Sequence, residues 1–266
     1  MAKATPIRGL SARALLNEAG PRILAARLRD VQQFEARLPE EEAVHGMRVA
    51  ARRLRAALRL LRLRELDAKV KELQDALGAV RDLQLQIAWL QGRDDALAAR
   101  RKTPLKKAER VLARVLLDWD SRTLPLLLEA AESKFKGKLS GDHVRKVLRK
   151  RLARFEERLE AALDKPAPTA IHAVRRSVKQ LRYLFELAQP AFPAAAKSLL
   201  VEVTPLQESL GELHDVDVRL HRLRKKDLLR VQKEDRTRLA AMVTAELSRW
   251  KKQKLAFRAR RSLDHR

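Results

Sequence analysis

Cysteine is absent from the 266-residue chain. No disulfide framework, thiolate nucleophile or cysteine metal site can be built from it, and the absence suits a reducing compartment. Glycine and proline are scarce, at 8 and 10 residues, and runs of β-branched residues are missing, so strands and tight turns have little to start from. Aromatic residues make up only 4%, with a single tyrosine, Tyr183. That leaves no stacking platform for single-stranded nucleic acid. No apolar run approaches the ~20 residues a membrane span needs, and the first twenty residues lack the apolar centre of a secretory signal. Acids are outnumbered: 34 Asp and Glu against 59 Lys and Arg leave a formal net charge of +25. A cytoplasmic protein without membrane insertion is expected, with a polyanion as its partner.

What the sequence does contain is leucine at helical spacing in nearly every segment, which predicts an all-α fold. The expected helices cover about 11–37, with Gly20-Pro21 as the place for a bend, then a basic helix opened by Pro39 and three glutamates, then 67–91 and 104–133. Pro125 should distort the last of these. The stretch K-F-K-G-K-L-S-G-D at 134–142 reads as a linker between halves, 1–136 and 137–266. Beyond it, helices are expected at about 142–163, 170–188, 194–225 and 234–261. Each half is thus a four-helix unit.

The basic helix organises the first half. From Val44 to Arg64 it carries His45 and seven arginines and not one acid. At about 100° per residue, His45, Arg48, Arg52, Arg55 and Arg59 fall within an arc of roughly 80°. Met47, Ala50, Leu54, Leu58 and Leu61 take the opposite face, where a core would lie. Like charges at i,i+4 destabilise a helix by a few tenths of a kcal/mol per pair. A single-signed stripe therefore costs stability and points to negative charge supplied from elsewhere. Genome bias towards arginine would explain Arg over Lys but not the absence of acids.

The pattern recurs. V-H-G-M-R-V-A-A-R-R-L-R aligns without gaps onto I-H-A-V-R-R-S-V-K-Q-L-R at an offset of 127, matching His45, Arg48, Arg52 and Arg55 to His172, Arg175, Lys179 and Arg182. L-Q-D-A-L-G-A-V-R-D at 73–82 aligns onto L-Q-E-S-L-G-E-L-H-D at 206–215. Such a repeat implies two units built alike, expected to face each other about a pseudo-twofold axis so that the two stripes converge on one basic groove. Arg22 and Arg149 share the 127 offset, as do Arg27 and Arg154. These four are candidates to line the same groove, a surface role being equally open.

Two copies of H-x-x-R-x-x-x-[RK]-x-x-R, each followed by L-x-x-x-L-G-x-x-x-D, resemble the CHAD domain, the conserved histidine α-helical domain, over about residues 11–260. The resemblance implies a helical fold of two pseudo-symmetric bundles around a basic cavity, binding of inorganic polyphosphate, and association with polyphosphate granules. It places His45, Arg48, Arg52, Arg55, His172, Arg175, Lys179 and Arg182 at the family's motif positions. Two departures stand out: Lys179 replaces an arginine and loses its bidentate fork, and Arg81 stands where the second copy has His214.

Arginine forks suit phosphate oxygens, and binding to a line of phosphates should weaken with salt. Each histidine reads either as a phosphate donor, stronger when protonated, or as a structural group bonded to a carboxylate or backbone. A metal site is disfavoured because neighbouring arginines repel a cation, and no cofactor is expected. Asp82 and Asp215 read as groups that orient the stripe arginines, and the two Leu-Gly pairs (77–78, 210–211) as sites of close helix packing. The expectation is a non-catalytic polyphosphate binder. The rival is a nucleic-acid-binding helical protein using the same groove, and nonspecific nucleic-acid binding at low salt is expected from charge alone.

Overall fold

A computed structural model of the chain describes residues 5, 7, 16–133, 141–220, 223 and 226–264. The all-α expectation holds: among these residues there are ten α-helices and no strand. The chain divides into two compact units, Met1–Gly141 and Asp142–Arg266. The boundary expected at 136/137, and the expected linker as far as residue 140, lie outside the described residues.

The first unit holds α1 (Leu16–Gln32), α2 (Glu41–Leu60), α3 (Arg64–Leu90), α4 (Asp95–Asp118) and α5 (Leu124–Glu132). α1 packs against α2 and α5, α2 against α3, and α3 against α4. Helix α2 is the centre of this unit. Its expected apolar face is buried throughout, Met47, Leu54 and Leu58 completely and Ala50 and Leu61 nearly so. Glu41 and Glu42 sit in its first turn, where carboxylates favour the helix N-terminus. Helical pairing runs on through Pro21 of α1.

The second unit holds α6 (Gly141–Asp164), α7 (Pro168–Ala188), α8 (Pro193–Leu220), α9 (Lys226–Lys252) and α10 (Leu255–Ser262). α8 lies against α7, α9 and α10. Val174, Val178, Leu181 and Phe185 of α7 are fully buried. Phe155 of α6 meets Trp250 of α9 edge to face, ring centroids 5.1 Å apart, the arrangement that the aromatic quadrupole favours.

Each unit has five α-helices where four were expected, because the last expected helix is divided in both. In the first unit a π-turn at Trp119–Thr123 separates α4 from α5. It stands just before Pro125, which has no N–H to return to residue 121, so the ladder loosens there. The same helix starts nine residues earlier than expected: Asp94 caps it by accepting from the backbone N–H of Leu97 at 3.1 Å, and Pro104 is inside it. In the second unit Lys254 takes a left-handed conformation (φ 50°) between α9 and α10.

Glycine does not act where close packing was expected. A Cβ on Gly211 would meet nothing within 4 Å, and one on Gly78 would meet only the Arg48 guanidinium at 3.5 Å. The tight position is Gly46 on α2, where a Cβ would sit 2.3 Å from the buried Phe34 ring. Gly46→Ala should therefore destabilise the fold, since overpacking of about 1–3 kcal/mol exceeds the gain in helix propensity of about 1 kcal/mol. Gly211→Ala, into open space, should stabilise by up to about 1 kcal/mol. Denaturant titrations of both variants check the opposite signs.

Candidate polyanion-binding site

Burial of the apolar face of α2 fixes where its basic residues stand. His45, Arg48 and Arg52 are half-buried in a row along one side of the helix. Arg48 lies 3.6 Å from Asp82 of α3, as expected of an acid that orients a stripe arginine. His45 has a pKa below its ordinary value: burial lowers it first, then the charges of Arg81, Arg48 and Arg52. An imidazole discharged by its neighbours marks a place where cations outnumber anions.

The far end of the stripe is different. Arg55 is buried, and its guanidinium donates to Asp67 at 2.7 Å and to Gln74 at 3.2 Å. Arg59 donates to the other oxygen of Asp67 at 2.8 Å. Burial would raise the Asp67 pKa, but hydrogen bonds from both arginines overcome this and hold it below the ordinary carboxylate range. One carboxylate thus serves two arginines.

In the second unit, His172, Arg175 and Lys179 are half-buried along α7. His172 also has a lowered pKa, first through burial and then through Arg176, Arg175 and Lys179. Arg182 matches Arg55 in environment as well as in sequence: it is 8% exposed and donates to Glu186 at 3.0 Å. Both arginines stand about 80° round the helix from the leading histidine, and about 40° from the buried Ala51 and Val178 respectively. Their stems lie on apolar surface and their heads meet an acid.

The four candidates from α1 and α6 do not form a matched set. Arg22 is exposed. Arg27 is buried and paired with Asp30 at 2.8 Å, while Arg154, its partner by offset, is exposed. Arg149 pairs with Asp264. Arg27, Arg55 and Arg182 are each buried against an acid of their own unit.

Three residues join the stripes that were not among the sequence's candidate ligand contacts. Arg81 of α3 faces His45 and pairs with Glu41. Arg176 stands beside His172; its counterpart in the first copy is Val49, so the repeat carried no signal. His214 of α8 lies with its ring centroid 5.6 Å from that of His172. Its pKa is lowered to about 4, by burial first and then by Arg175, His172 and Lys179, against the opposing charge of Asp217. Asp217, the second acid of the H-D-V-D segment, is bound by Arg236 at 2.6 Å.

The depressed histidines have a consequence for stability. A neutral imidazole in the fold that protonates more readily when unfolded makes the unfolded chain the better proton acceptor. Stability should fall as pH drops from about 6.5 towards 4, and thermal melts of His214→Gln should show a smaller fall over that window. The Asp67 pairing acts in a separate and more acidic window, being lost only as pH passes down through its depressed pKa.

No curated protein matches the chain. Among solved structures, the crystal structure of the CHAD domain from the plant Ricinus communis superposes with a TM-score of 0.70, covering 100% of this chain and 96% of that one. Sequence identity is 24%, so the likeness is one of fold. The CHAD domain family model matches residues 22–224, a span that runs from α1 through both histidine-led helices to the end of α8. On that match, the chain belongs to the CHAD domain family.

Proposed function

We propose that this protein is a non-catalytic binder of inorganic polyphosphate. The ligand contacts are His45, Arg48, Arg52 and Arg59 on α2 and His172, Arg175 and Lys179 on α7. The observation that carries the reading is the state of the two leading histidines. Each belongs to a half-buried row of basic residues and has a lowered pKa, through burial first and then through its arginine and lysine neighbours. Each row gathers several basic side chains on one helix face, where an outside anion can bridge them. Arginine forks suit phosphate oxygens, and a flexible chain of phosphates can follow successive helical turns. Family membership supports the same ligand class. Association with polyphosphate granules follows from the same chemistry. No described helix is long and apolar enough to cross a membrane.

Competition titration tests the reading. At physiological ionic strength, where the screening length is about 8 Å, labelled long-chain polyphosphate would be displaced by duplex DNA, single-stranded RNA or triphosphate, compared per phosphate. Polyphosphate should hold against nucleic acid by orders of magnitude and remain uncleaved. Equal competition by nucleic acid would reduce the stripes to a generic positive field.

Two variants sharpen the result. Arg48→Ala combined with Arg175→Ala should abolish tight binding with helicity unchanged, and the slope of log K against log salt should fall by about one for each phosphate no longer neutralised. Asp67→Ala should move stability and affinity in opposite directions. Loss of its charged hydrogen bonds costs about 1–3 kcal/mol, while Arg59 is released for the ligand, so denaturant midpoint falls as affinity rises.

A further inference from the structure

The two units differ at the place where the second motif faces the basic helix. In the first unit, Arg81 carries a permanent charge beside His45, and the space over Gly78 is occupied by the Arg48 guanidinium, 3.5 Å from where a Cβ would stand. In the second unit the residue matched to Arg81 is His214. At the matched glycine, Gly211, no side chain or neighbouring element among the described residues comes within 4 Å of the same point. Gly211 and His214 are three residues apart on α8, hence on one face. The first unit has filled this space with its own cation, and the second has left it open beside two imidazoles.

We propose that the second unit carries a phosphate subsite, formed by His172, His214 and Arg175 over the open face of Gly211, which takes up protons as it binds and has no counterpart in the first unit. This rests on the polyphosphate reading and adds which residues hold one stretch of the chain and how pH acts on them.

Every element packed against His214 contributes to its surroundings. α7 brings His172, Arg175 and Lys179, all of which oppose its protonation. α8 itself brings Asp217, which favours it, but that carboxylate is bound by Arg236 of α9. α10 also lies against α8, with its Arg260 held by Glu156 of α6. Burial, and then the positive field of these cations, disfavours protonation of His214 in the empty protein. A phosphate placed between the rings reverses that field. It accepts from a nitrogen of each ring, and the charged form of each becomes the favoured one. The protons come from solvent. Affinity therefore rises as pH falls, by about tenfold per pH unit for each proton linked, within the window between the raised pKa of the complex and the value near 4 of the empty site. In the first unit an arginine, Arg81, stands where the second has an imidazole, so only His45 can respond.

Calorimetric titration of the full chain with long-chain polyphosphate, from pH 8 to pH 6 in two buffers of different ionisation enthalpy, counts the protons taken up. The wild-type protein should take up protons and bind more tightly at pH 6. His214→Arg, which makes the second unit resemble the first, should bind with about one proton fewer and a flatter pH profile. Gly211→Leu, whose side chain enters open space, should melt at or above the wild-type temperature and lose affinity about tenfold or more. Unchanged proton uptake in His214→Arg, or wild-type affinity in folded Gly211→Leu, would overturn the subsite while leaving the polyphosphate reading in place. Failure of the wild-type protein to bind polyphosphate at any pH would overturn both.

Discussion

Burial of one face of α2 against α1 and α3 is the constraint on which the first unit depends. The opposite face sets cation over cation at i,i+4 spacing, which works against the helix by a few tenths of a kcal/mol per pair. Met47, Leu54 and Leu58, each fully buried, contribute roughly 1.5–3 kcal/mol apiece. Hydrophobic burial wins by an order of magnitude, so the helix holds a charge pattern that it would not keep in isolation. α7 repeats the solution with Val174, Val178, Leu181 and Phe185 beneath His172, Arg175 and Lys179.

Within each stripe the charges divide into two kinds. Arg55 and Arg182 are buried and answered by acids of their own unit. The positions led by the histidines are half-buried, and there burial first, and then the neighbouring cations, disfavours the charged form of each imidazole. Of the two buried pairs, Arg55–Asp67 ties α2 to α3, whereas Arg182–Glu186 lies within α7.

Much of this was legible in the residues. The spacing of Met47, Ala50, Leu54, Leu58 and Leu61 identified the buried face of α2, and the repeat of His45 and Arg48 as His172 and Arg175 located α7. Arginine at the edge of a stripe was not legible, because a 3.6-residue period does not say whether a long side chain turns to water or folds back on apolar surface. Arg55 folds back because Asp67 waits on the next helix, a tertiary fact. The role of His214 was hidden by the mismatch with Arg81, which in sequence looked like a broken pair. The two divided helices differ in legibility. Pro125 announced the first, whereas nothing in the residues around Lys254 marks a left-handed turn, a conformation usually given to glycine or asparagine.

The connection between α2 and α3 spans only residues 61–63, with Arg62 in a left-handed conformation (φ 63°). Asp67 stands in the first turn beyond it, so the length of this turn sets how far the stripe lies from its own counter-charge. A longer connection would let Asp67 draw away from Arg55 and Arg59 without touching a single basic side chain. Two cations would be handed back to the solvent face, and the corner's length works as a control on how positive that face becomes.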